Sequence, residues 1–162
     1  MSRTAVSYLL LACVCLCLYF AYLGRGDLAG QSEGNYAEIP REMLESGDWV
    51  IPRLNYVPYL EKPPLFYWAT ALAYKAFGAN AFSARFWSAF PALLLVLSVF
   101  AFIRKFRDEE TALFSALILA VSGGMIAMAR ISYMDMLLCL CTAWTFLSFY
   151  LAEDAPVGAR KK

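Results

Sequence analysis

The residues best suited to chemistry in this chain are Glu61 and Lys62, held in the run Glu61-Lys62-Pro63-Pro64. An acid and a base side by side on a rigid, extended turn, just ahead of an apolar helix, place a fixed positive charge at headgroup depth. A lysine there holds a phosphate as a point charge, and the glutamate beside it is a ligand type for a divalent metal. The alternative is a lysine snorkelling to the interface next to a solvated glutamate. Asp135 is the second focus, five residues after Arg130 and about one turn into an apolar run. Acids at membrane depth usually face a polar cavity and mark function, although Asp135 at the very edge of the run would simply pair with Arg130. Upstream, Glu33, Glu38, Arg41, Glu42, Glu45 and Asp48 crowd one short segment and read largely as its solvated face.

Elements that position these groups follow from hydropathy. Apolar residues make up 61% of the 162 positions and charged ones 17%, which points to an integral membrane protein rather than a soluble domain. Nothing in the charge distribution points to nucleic acid. Five cysteines all lie in apolar runs and there is no histidine, so neither a disulfide framework nor a thiolate metal site is expected. The cysteines read as small packing residues.

Ala5–Leu23 is a run of 19 residues, long enough at ~1.5 Å per residue to cross a ~30 Å hydrocarbon core, and reads as a signal-anchor helix. The spans are expected at about 5–23, 80–103, 111–128 and 131–152, with a bend at Pro91. A polar loop over 24–79 carries two helices: Tyr36–Ser46, or a helix opened by Pro40, along the membrane surface, and Pro64–Phe77, lying in the interface or packing over the bundle. Residues 5–152 form a single domain, and 153–162 form a polar tail. Gly123-Gly124 reads as a place of close helix packing, not a phosphate loop, because it lies within a span. Arg3, then Arg104, Lys105 and Arg107, then Arg160, Lys161 and Lys162 fall on one side of four alternating spans. The positive-inside rule makes that side cytoplasmic, with both termini there and the long loop outside.

The motifs SEGNYAEIPREMLESGDWVIPRLN, YLEKPPLFYWATALAYKAFG and SARFWSA, with the later Ala129-Arg130 and Asp135-Met136-Leu137-Leu138, carry a resemblance. The chain resembles the first third of the bacterial GT-C type membrane glycosyltransferases related to 4-amino-4-deoxy-L-arabinose (lipid A) transferase and to protein O-mannosyltransferases. The likeness covers essentially all of residues 5–152. It implies an all-α membrane fold of four spans and two interfacial helices in the first periplasmic loop of a bacterial inner-membrane protein. It also implies transfer of a sugar from a polyprenyl-phosphate donor to a lipid A, protein or glycan acceptor. Under this resemblance Lys62 and Arg85 contact the lipid phosphate, Glu61 helps hold a divalent metal, and Glu33 and Asp135 are the catalytic acids. The family usually carries Asp-Glu just before its Tyr-Ala-Glu, where this chain has Ser32 and Glu33. Glu33 would therefore have to stand in for the aspartate.

Family members run to several hundred residues. The chain is thus expected to be the front of such an enzyme and inactive alone, its remaining spans supplied by another polypeptide or by further sequence. A non-catalytic membrane protein that binds lipid phosphate or a partner subunit is the second reading. A transporter or signal-anchored scaffold fits the spans but leaves the Glu-Lys-Pro-Pro and Tyr-Ala-Glu spacing unexplained.

Overall fold

A computed structural model describes residues 2–28 and 30–154. Most of the expected tail, with Arg160, Lys161 and Lys162, lies outside the described residues. The element order is α1 (Arg3–Cys15), a π-helical turn (Leu16–Phe20), α2 (Gly30–Ser46), a hairpin of β1 (Arg53–Leu54) and β2 (Val57–Pro58), α3 (Leu65–Phe77), α4 (Ala81–Phe106), α5 (Glu109–Val121), α6 (Gly123–Ala129) and α7 (Asp135–Asp154). Three helical stretches, Arg3–Phe20, Ala81–Phe106 and Asp135–Asp154, are long and apolar enough to cross a membrane. A fourth crossing exists if α5 and α6 count as one broken span.

Helix starts follow local capping chemistry. Ser2 accepts from the Ala5 amide, Asn80 from the Ser83 amide and Asp108 from the Thr111 amide, each satisfying a donor that the first turn leaves open. Gly78 ends α3 with φ 81° and ψ 159°, a backbone region essentially closed to residues with a Cβ. This turn lets α3 fold back and pack against α4.

Helix α4 is the centre of the bundle, in contact with α1, α3, α5, α6 and α7. Its Ala89, Ala92, Val96 and Phe100 are buried together with Leu11, Cys15 and Tyr19 of the first span and with Ala112, Ala116 and Ala120 of α5. The alanines recur every fourth residue on α5, so a smooth face lets the two helices approach closely without any aqueous driving force. Outside this core, α2 and α3 bury Ile39, Met43, Phe66 and Tyr67 against each other.

Three expectations need correction. The first loop helix begins at Gly30 rather than Tyr36 and continues through Pro40. The third span is not continuous, since α5 and α6 meet at 59° across Ser122, whose ψ of 136° is extended. Nor do Gly123 and Gly124 pack closely: a Cβ at either would meet nothing within 4 Å. They start a short helix just after the break. Of the cysteines, Cys15 is buried, whereas Cys13, Cys17, Cys139 and Cys141 are free and exposed.

Candidate functional site

Glu61 and Lys62 lie in the bend between the hairpin and α3 and line an apolar groove of about 480 Å³. Its other walls are Pro63, Leu65 and Phe66 at the start of α3, and Met134, Leu137, Leu138 and Cys141 at the start of α7. The two motifs chosen from sequence, Glu-Lys-Pro-Pro and Asp-Met-Leu-Leu, thus meet in space. A cation at the mouth of an apolar trough suits an anion that carries a long hydrocarbon tail.

A cluster of tyrosines adjoins the groove through Phe66 and Glu61. The Tyr36 ring lies 5.2 Å from that of Tyr133, 6.0 Å from Tyr67 and 5.7 Å from Phe66, centroid to centroid. Tyr59 donates its hydroxyl to Glu61 Oε2 at 3.1 Å. Burial foremost, then Tyr59, the Asp135 carboxylate and Tyr133, push the Tyr36 phenol above its ordinary range. Burial and the nearby Tyr36, Tyr59 and Glu61 do the same to Tyr67. Both phenols therefore stay protonated. The Tyr67 hydroxyl is buried and has no hydrogen-bond partner. Sequence reasoning passed over these tyrosines, although Tyr59 sits two residues before Glu61 on an extended segment and so shares its side.

Asp135 is exposed and opens α7, where the helix dipole favours a carboxylate. It is the first helical residue rather than one turn inside. Arg130 donates instead to the Leu18 carbonyl at 2.9 Å, in the π-helical turn, and no ion pair joins it to Asp135 among the described residues.

Glu33 and Arg85, predicted as catalytic and phosphate-binding groups, are placed elsewhere and paired. Arg85 Nε lies 2.8 Å from Glu33 Oε1 and Nη2 3.1 Å from Oε2, with the two side chains 9% and 3% exposed. The guanidinium also donates to the carbonyls of Leu23, Arg25 and Asp27, and Glu33 Oε1 accepts the Ser132 amide at 2.9 Å. The Arg85 donors thus point at protein acceptors, and the Glu33 carboxylate is buried among protein donors. Ser32, one residue earlier, is exposed. The pairing fixes the connection after the first span, the start of α2, α4 and the α6–α7 link to one another.

A divalent metal at Glu61 does not fit. Its oxygen is engaged by Tyr59 and an ammonium adjoins it in sequence, and no group of three acidic, cysteine or histidine side chains gathers among the described residues.

Comparison with known proteins places this geometry. Residues 4–162 match the dolichyl-phosphate-mannose-protein mannosyltransferase family. The chain belongs to that family. It is 34% identical over 149 residues to an undecaprenyl phosphate-alpha-4-amino-4-deoxy-L-arabinose arabinosyl transferase of Shewanella sediminis, covering 89% of this chain and 26% of that protein. A protein of the same name from Pseudomonas savastanoi pv. phaseolicola is 36% identical over 160 residues, covering 98% of this chain and 30% of its own length. Among solved structures, ArnT from Cupriavidus metallidurans bound to undecaprenyl phosphate superposes with a TM-score of 0.87 at 33% identity, over 99% of this chain and 30% of that one. The chain therefore spans less than a third of the length of these mannosyltransferase-family relatives.

Proposed function

We propose that this chain forms the donor-binding front of a polyprenyl-phosphate glycosyltransferase. Lys62 holds the phosphate of an undecaprenyl-phosphate sugar, and the groove between α3 and α7 takes the first isoprene units. The observation that carries this reading is the joining of Lys62 to an apolar groove walled by both motifs. The names of the relatives support the choice of lipid carrier. In this reading the long loop faces the periplasm and the acceptor is an alcohol presented at that face of the inner membrane.

Transfer would break the bond between the anomeric carbon and the phosphate oxygen while the acceptor oxygen bonds to the same carbon. The acceptor proton must leave, and charge must be stabilised on the departing phosphate. In this reading Asp135 takes the proton, and Lys62 balances the phosphate. Tyr36, Tyr59 and Tyr133 supply ring faces and donors for the sugar.

A second reading, binding without transfer, is favoured by one feature. Ser32 occupies the position of the family's aspartate, and Glu33 is sequestered by Arg85.

The test is binding of undecaprenyl phosphate to the full chain in lipid nanodiscs. Loss of a charge-assisted contact of about 1.5–3 kcal/mol predicts that Lys62→Ala weakens binding roughly tenfold to a hundredfold. Unchanged affinity would remove Lys62 from the site. Binding retained without sugar transfer, followed by transfer in Ser32→Asp once the remaining spans are supplied, would decide for the second reading.

A further inference from the structure

The segment from Trp49 to Leu60, WVIPRLNYVPYL, contains one charged residue, Arg53, and that charge is spent on Asp48 at 3.4 Å. Trp49, Leu54 and Tyr59 pack inward, but four large side chains point outward: Val50 is 80% exposed, Tyr56 64%, Val57 65% and Leu60 74%. Leu65 and Trp68 of α3 are exposed beside them. Such a patch in water is a liability unless something covers it.

This outward display is fixed. Asp48 Oδ1 accepts the amides of Val50 and Ile51, and Glu42 Oε2 accepts the amide of Tyr56. Asn55 and Tyr56 turn the hairpin at φ 51° and 63°. Trp68 donates its indole N–H to the Trp49 carbonyl at 2.7 Å, which ties the segment to α3. Lys75 lies 4.9 Å over the Trp49 ring. A hairpin braced at four points cannot simply fold its apolar side chains inward.

We propose that this hairpin dips into the bilayer, with Val50, Tyr56, Val57 and Leu60 among lipid headgroups and upper acyl chains. Two observations select lipid over another covering. Tryptophan, tyrosine and a lysine flank the aliphatic residues, the mixture that anchors proteins at a membrane interface. The patch is also continuous with a spanning helix: Leu65 of the patch and Leu138 of α7 line one groove, and α7 exposes Leu138, Phe146 and Phe149 along its outer face. The hairpin therefore forms the lip of the groove on its membrane side. This inference concerns lipid contact alone and stands whether or not the donor reading does.

Nitroxide labels at Val57→Cys and Leu60→Cys test it, in the full chain with its five native cysteines replaced and reconstituted in phosphatidylethanolamine–phosphatidylglycerol nanodiscs. Collision with oxygen reports lipid, and collision with a water-soluble nickel chelate reports water. Phe146→Cys, on the exposed face of α7, serves as the lipid reference and Glu110→Cys as the water reference, with helicity by circular dichroism as the folding check. Oxygen accessibility exceeding nickel accessibility at both hairpin sites, as at Phe146, is the expected result. Nickel-dominated accessibility would overturn the proposal, and so would protection from both reagents, which would mean that protein covers the hairpin.

Discussion

Replacing Arg85 by methionine tests whether the Glu33–Arg85 pair is a brace. The guanidinium that disappears reaches both oxygens of a carboxylate that is 3% exposed. Removing one partner of a buried pair strands the other charge, at a cost of about 3–5 kcal/mol. The Leu23 carbonyl also loses its donor in a buried position, whereas the bonds to Arg25 and Asp27 are partly accessible and water can replace them. The expected loss therefore lies at or above the lower end of that range. Glu33→Met with Arg85→Met removes both charges but still orphans the Ser132 amide, so it should recover at least about 1 kcal/mol without reaching the parent. Arg85→Lys should fall between, because one ammonium cannot span a carboxylate and three carbonyls. Urea or SDS titration of purified protein in micelles, followed by helicity, measures each. An Arg85→Met loss under about 1 kcal/mol, or a double variant as unstable as the sum of the singles, would refute the buried-charge reasoning.

Three further outcomes are expected. Gly78→Ala should cost about 1–3 kcal/mol, because its φ of 81° and ψ of 159° admit essentially glycine alone, and the same titration reads it. Asn80→Ala should cost about 1 kcal/mol through loss of the cap on the Ser83 amide, visible as fraying of the first turn of α4 in hydrogen exchange. The Arg41 guanidinium holds the Glu38 carboxyl below its ordinary value of 4.5, with burial opposing. A depressed folded-state value means the contribution is full above the unfolded pKa and fades as pH falls through the folded one. Glu38→Gln should then flatten the acid-side decline in stability beneath pH 4.5 and leave stability flat with pH near neutrality.

The apolar runs located the helices in the first, second and fourth expected spans because hydropathy reports transfer into lipid directly. Hydropathy failed at Ser122, where both halves of the third run are apolar. A serine followed by two glycines was the available sign of the break. Pro40 concealed the early start of α2, since a proline argues locally against a helix that packing of Ile39 and Met43 on α3 favours. Short motifs drew attention to Glu61, Lys62 and Asp135, and the structure puts the first two in one groove with Met134 and Leu137. The pairing of Glu33 with Arg85 was not, because 52 residues separate two groups that sequence presents only as charges. Burial, which no spacing reveals, joins the two in a bridge between the loop and α4.

The same brace constrains how the chain is made. Glu33 accepts from Ser132, 99 residues later, an interval of roughly 5–20 s at ordinary rates of synthesis. During that time the glutamate and, once it emerges, Arg85 can find each other while the last contact is still missing. The front of the loop therefore settles in two stages, and closure awaits arrival of the α6–α7 link. A nascent chain halted before Ser132 would hold its ion pair in a half-built and wetter setting, open to quality-control proteases that the finished bundle excludes.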